Sequence, residues 1–375
     1  MKSTGLFFLL LLLSSSLWAQ QYSLLADKPA LEQVEEITGL IYNNEHALVQ
    51  QKLKKLRTSV PADHPVFPML QALNLYWMDA PMHTKSAYFP VFKDYLHQTV
   101  QHSEVYLARK QDETLASFLA LSAHSLLTRF HADKGDYMAA IGEAKEAYSY
   151  MKEAFELAGS YNEFNFPVGL YNYYREKYPE LHPVYKPFMF FFRSGDKNKG
   201  IRQLEQASRE NIFTKPEATV FLVQIYLYYE NKPKEALRNI RRLQQEFPQN
   251  RLFKAQLAEA YIANGQYQPI RPHIQYLLQQ PEPFFKMAGE LFEGLYLEKQ
   301  LKDYEQALNS YTSALETGKS LNYMADVYRS MAYAGLGRIY HHRQQAKQAR
   351  AAYKKALEYA AFEYPVKPEA KTYLE

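Results

Sequence analysis

Apolar side chains recur along this chain at helical spacing. Ile201, Leu204 and Ala207 form one set, Ala236, Ile240 and Leu243 a second, and Ala140, Ala144 and Ala147 a third. Residues three, four and seven apart share one face of a helix, so each set predicts an amphipathic helix. The ends of these sets carry matching signals. Asp196 precedes the first as an N-cap, and Pro248 closes the second because proline cannot continue a helix. Gly135-Asp136 and Asn264-Gly265 mark turns between helices, where glycine can reach positive φ. No run alternates apolar and polar residues between hairpin turns, so the expected fold class is all-α.

The helices also repeat. Tyr333-x2-Leu336-Gly337-x2-Tyr340 is followed by Ala349, Tyr353, Ala356 and Leu357. Gly337 and Ala349 are small where two antiparallel helices would approach, and Tyr340 and Tyr353 would fill the space beside them. A second-helix signature recurs at Tyr304-Glu305-Gln306-Ala307 with Tyr311 and Ala314, and at Ala236 with Ile240 and Leu243. Leu257-Ala258, Tyr261, Ile270 and Ile274 continue it. From Ala236 to Ile270 is 34 residues, to Ala307 a further 37, and to Ala349 a further 42. A further copy surrounds Ala140, and a weaker one, earlier, holds Ala47, Leu53, Leu56 and Pro61. This arrangement resembles the tetratricopeptide pattern, with Tyr333 standing where Trp is typical. The resemblance implies a right-handed superhelical solenoid of helix pairs from about residue 28 to the C-terminus, with N-terminal repeats in 20–160 and C-terminal repeats in 196–375.

Residues 161–195 interrupt that pattern. Of the 32 residues from Tyr161 to Phe192, twelve are Tyr or Phe and four are proline. Prolines this frequent predict short helices joined by turns at 179–183. Phe188 to Phe192 read either as a core plug between two halves of the chain or as an apolar lip; the rarity of large exposed apolar patches favours the plug. Gly169-Leu170-Tyr171-Asn172-Tyr173-Tyr174, followed by Gly195-Asp196-Lys197-x2-Gly200-Ile201-x2-Leu204-x2-Ala207, resembles the inclusion-body-clearance branch of tetratricopeptide proteins and its exported bacterial relatives. That branch implies a non-catalytic adaptor and offers no residue whose chemistry could be carried over.

The N-terminus predicts export. Met1-Lys2, an apolar run from Leu6 to Leu13, and Ser14 to Ala19 before Gln20-Gln21 form the pattern of a cleavable signal peptide spanning residues 1–19. The run is shorter than the roughly 20 residues a membrane-spanning helix needs. No later stretch is apolar enough for a span. The chain has no cysteine, so lipid anchoring through cysteine, disulfides, cysteine-ligated zinc and thiol catalysis are excluded. A soluble periplasmic or extracellular protein is therefore expected. Its 44 basic and 40 acidic residues leave no sequence-wide basic field for nucleic acid.

Chemical motifs are incomplete. Gly195-x4-Gly200 opens like a phosphate loop, but Ile201-Arg202 stand where Lys and Ser/Thr are required. Gly318-Lys319-Ser320 lacks the first glycine of that loop, and Gly335-Leu336-Gly337 lacks the third glycine of a dinucleotide fingerprint. His341 and His342 are adjacent and diverge around a helix, which suits shared metal ligation poorly. No catalytic residue, cofactor or metal is expected. Two desolvated carboxylates in one pocket would be the sign of a hydrolase.

What remains is a groove. In stacked helix pairs the first helices line the concave face, which here places Phe221, Ile225, Tyr228 and Tyr229 from one repeat on it. Leu252, Ala255, Glu259 and Ile262 come from the next, and Ala334, Arg338, His341 and His342 from the last. Tyrosine offers a large contact area with a hydrogen-bonding tip, so the groove suits an amphipathic helix or an extended peptide. Equally, a neighbouring repeat or the 161–192 segment could cover these residues. The expectation is an exported, non-catalytic scaffold for a protein or peptide partner; the alternative is a helical ligand-binding protein for glycans or peptides.

Overall fold

The computed structural model describes residues 22–181, Pro183, Lys186 and residues 192–375. The leader, and Phe188, Phe190 and Phe191 of the aromatic run, lie outside the described residues. Within them the chain is all-helical, without a strand. The N-terminal helices are α1 (Lys28–Tyr42), α2 (His46–Leu56), α3 (Val66–Met78), α4 (Phe89–Ala108), α5 (Glu113–Lys134) and α6 (Tyr137–Leu157). Next come α7 (Asn165–Leu181), α8 (Lys197–Glu210), α9 (Lys215–Gln224), α10 (Pro233–Glu246) and α11 (Arg251–Ala263). The last are α12 (Arg271–Leu278), α13 (Pro283–Tyr296), α14 (Tyr304–Gly318), α15 (Asp326–His342), α16 (Ala346–Tyr359) and α17 (Val366–Leu374). Consecutive helices pack against each other, and α11, α13, α15 and α17 also touch in series.

Side-chain caps start several of these helices in one geometry. Asp27, Asp136, Asp196, Asn250 and Asp303 each accept a hydrogen bond from the backbone N–H three residues on, at 3.1, 3.3, 2.9, 3.1 and 3.0 Å. Each satisfies a donor that the helix itself cannot, worth about 1 kcal/mol. Gly135 and Gly265 occupy the turns before α6 and after α11 with φ of +81° and +69°.

Small residues let aromatic rings enter the helix contacts. A Cβ on Gly337 of α15 would lie 2.9 Å from the Tyr353 ring of α16. Tyr311 of α14 is held between two such gaps: a Cβ on Gly294 would lie 2.7 Å from its ring, and one on Gly335 2.4 Å. Between α7 and α8 the approach is backbone to backbone, since a Cβ on Gly200 would lie 2.6 Å from the Tyr173 nitrogen and 2.7 Å from the Gly169 carbonyl oxygen.

Two findings differ from the sequence expectation. The proline-rich segment holds one 17-residue helix, α7, which continues through Pro179 to Leu181. Pro167 stands in the first turn, where its missing N–H has no helical partner to lose, and Pro179 disturbs only the last turn. The second finding is a fold-back of the N-terminal helices onto the middle of the chain. Tyr42 donates to the Phe213 carbonyl at 2.7 Å and to Glu217 at 2.6 Å, Trp77 donates to Glu217 at 3.1 Å, and Asn250 donates to the Tyr42 carbonyl at 2.7 Å. A stack in which each pair met only its neighbours would leave these residues apart. The aromatic rings of Tyr42, Trp77, Phe247 and Phe253 interlock at centroid distances of 5.3 to 6.2 Å, so the contact has its own buried core. α11 joins the two halves, with Phe253, Leu257 and Ala260 facing the first core and Ala255, Ala258 and Ile262 the second.

Candidate functional site

Helix α9 widens at its end into a π-turn, Ile225–Tyr229, closed by the Glu230 N–H on the Ile225 carbonyl at 2.9 Å. One residue more per turn shifts the side-chain register and leaves carbonyls free at the helix end. The Tyr228 carbonyl accepts the N–H of Tyr364, far along the chain, at 3.2 Å. A second π-turn, Leu297–Leu301, ends α13, where Lys302 at φ +59° reverses the chain.

Between these turns, α11, α15 and the C-terminal segment 360–375 lies a cavity of about 240 Å3. Tyr228, Glu259, Ile262 and Arg338 all line it, together with Lys299 and Glu369. Ala334 lines it as well, and the other residues expected in the groove are elsewhere. Ile225 is fully buried in the core, Phe221 packs on Phe166 at 5.8 Å, and Tyr229 sits among Tyr173, Tyr174 and Phe362. His341 and His342 are exposed at the end of α15, against the Tyr373 and Tyr304 rings. Ala255 is buried, and Leu252 is packed against both cores.

The C-terminal segment covers part of this face; the sequence reading left an open groove and a cover by a neighbouring repeat or residues 161–192 as equal alternatives. Phe362 stacks on Tyr228 with ring centroids 4.6 Å apart and planes 6° from parallel, and meets Tyr229 edge-on at 5.4 Å. α17 then buries Val366 and Ala370, one helical turn apart.

Arg338 organises the charges on the far wall. Its Nε and Nη2 donate to the two Glu298 oxygens at 2.7 and 2.9 Å, and Nη1 donates to both Glu369 oxygens at 3.1 Å. Tyr311 adds a 2.6 Å hydrogen bond to Glu298. These donors outweigh burial and hold the Glu298 carboxyl down to about 2. Glu259 has the opposite environment. It is buried, accepts the Tyr228 hydroxyl at 2.7 Å, and is pushed up to about 7 by desolvation.

Glu163 and Glu217 are also desolvated, but they form a clasp rather than a pocket wall. Glu163 accepts the amides of Ile212 and Phe213 and the Thr214 hydroxyl, and burial still raises it to about 7. Glu217, raised to about 7 by burial and opposed by its bonds from Tyr42 and Trp77, lies close enough for the Glu163 charge to add to that rise. Their oxygens are engaged by the chain itself, and neither residue lines the cavity. Among the described residues, no group of three or more His, Cys, Asp or Glu side chains is arranged to hold a metal ion, and no helix is long and apolar enough to cross a membrane.

Glu298, Phe362, Tyr364 and Glu369 were missed by the sequence reading. Phe362 and Tyr364 had a usable signal: an aromatic Phe-x-Tyr-Pro-Val run follows the last repeat helix and has no place in the repeat register. No family model matches the chain, and no curated protein matches it.

Proposed function

We propose that the chain is an exported tetratricopeptide-like solenoid that acts without catalysis or cofactor as a scaffold for a protein or peptide partner in the cell envelope. The observation that carries this reading is the seating of the C-terminal segment. Residues 362–366 cross the end of α9 with one ring stacked on Tyr228, one main-chain hydrogen bond to its carbonyl and one buried apolar side chain. An extended peptide is recognised by those same means: a main-chain bond for affinity and aromatic pockets for specificity.

Further support comes from the helix order and the small-to-large contacts. Alternate helices α11, α13, α15 and α17 touch in series, as first helices of stacked pairs do. Gly337 against Tyr353 falls at the repeat positions read from the sequence. The Gly169–Gly200 approach involves the residues that resemble the inclusion-body-clearance branch, and it favours placing the chain near that branch. Export rests on the leader alone.

A photo-crosslinking residue at Tyr267, on the cavity rim, tests the scaffold reading in cells, with the same residue at the exposed Lys347 of α16 as control. A discrete adduct formed from position 267 and absent from position 347 is expected in the envelope fraction. Identical adducts from both positions, or none from position 267, would count against it.

A further inference from the structure

We propose that the cavity beneath the C-terminal segment binds a cationic group, a primary ammonium or guanidinium on an aliphatic stem, with Glu259 as its counter-ion. The shape of the site is the first ground. Glu259 is 5% exposed and opens on a cavity of about 240 Å3 whose walls include Leu227, Ile262, Leu295 and Met331. A carboxylate in a chamber lined in part by apolar side chains suits a charge carried on methylenes.

The second ground is the distribution of charge. The cations on the wall are already committed. Arg338 is divided between Glu298 and Glu369, and Lys299 lies 2.8 Å from Glu298. Among the described residues Glu259 pairs with no cation; the hydroxyl of Tyr228 is its neutral donor. A buried carboxylate is retained at a cost unless something offsets its charge.

The titration of Glu259 agrees with this. Burial raises it to about 7, so near neutrality the carboxyl is shared between its two forms. Tyr228 and Tyr328, which face it from the end of α9 and from α15, are pushed well above their ordinary value by burial and by the Glu259 charge. Tyr267 is raised by burial, and Arg338 holds its proton more firmly than a free guanidinium. Lys299 and Glu369 are the other charged groups on the wall, and both are paired. A bound cation would favour the charged carboxylate and release a proton as it binds.

The source of the cation could be a free amine or a lysine or arginine side chain of a peptide; the chemistry is shared, and the site does not depend on the scaffold reading. Calorimetry on the full-length protein, with n-butylammonium, the neutral isostere n-butanol and acetyl-Gly-Lys-Gly-amide as probes, tests it. Saturable binding of n-butylammonium is expected above neutral pH, weakening about tenfold per pH unit below about 7, with proton release seen as a buffer-dependent heat. Glu259→Gln should weaken it at least about tenfold. A tripeptide that binds more tightly than n-butylammonium assigns the site to a peptide side chain, and one that binds more weakly assigns it to a free amine. Absence of saturable ammonium binding, equal binding of n-butanol, or undiminished binding by E259Q overturns the proposal. Should E259Q fail to fold, the wild-type pH profile decides, because pH-independent binding is incompatible with Glu259 as the counter-ion.

Discussion

Phe362 lies flat on Tyr228, 4.6 Å between ring centroids, although 134 residues separate them in the chain. With the adjoining bond from the Tyr364 N–H to the Tyr228 carbonyl, it fastens the C-terminal segment to the middle of the protein. Phe362→Ala removes the stack and part of a half-buried ring. It should cost about 2 kcal/mol of stability and accelerate hydrogen exchange at the Tyr364 amide. Urea melts with site-resolved exchange check both effects, and unchanged protection at Tyr364 would show that the stack does not hold the segment.

Tyr311 enters the space left by Gly294 and Gly335. Gly335→Ala would place a methyl 2.4 Å from the ring, so despite the gain in helix propensity of about 1 kcal/mol it should destabilise by about 1–3 kcal/mol. Gly142 in α6 has nothing within 4 Å of an added Cβ, and Gly142→Ala should stabilise by about 1 kcal/mol. Thermal melts of the two variants should therefore move in opposite directions.

Arg338 neutralises Glu298, which is itself nearly inaccessible. Arg338→Met leaves that carboxylate buried without its guanidinium and should cost about 3–5 kcal/mol. Pairing this loss with Glu298→Gln in a double-mutant cycle should recover part of it. Strict additivity of the two single changes would contradict a coupled pair.

The pH dependence of stability follows from opposite shifts. Glu298, depressed to about 2 by Arg338, contributes stability that is present above its unfolded value and lost as pH falls through the folded value. Glu163, Glu217 and Glu259 are raised to about 7 by burial, so the native state binds more protons than the unfolded chain between about 4.5 and 7, and stability rises as pH falls through that window. The maximum should lie on the acid side of neutrality. Glu163→Gln keeps an acceptor for the amides of Ile212 and Phe213 and should flatten the slope between those limits, as read from urea midpoints against pH.

The helices were legible because their signals are local. The cap at Asp196, the turns at Gly135 and Gly265, and the Gly337 and Tyr353 spacing are each set within a few residues by donors, φ and ring volume. The site was only half legible. Tyr228, Glu259, Ile262 and Arg338 were placed by helical spacing, but the π-turns at 225–229 and 297–301 have no sequence signature, and the second carries the Glu298 that pairs with Arg338. The fold-back of Tyr42 onto Glu217 and of Phe362 onto Tyr228 depends on tertiary pairing across long stretches of chain, which periodicity does not encode.

The most direct test of the groove uses the chain's own segment as ligand. A synthetic peptide of residues 360–375 is titrated into wild-type protein and into a variant whose segment is loosened, Phe362→Ala with Glu369→Gln. Saturable binding to the variant, and at least about tenfold weaker binding to the wild type, is the expected result, because the tethered segment competes at high effective concentration. A variant with native helicity and a cooperative melt that binds no peptide would contradict recognition of an extended chain at this face.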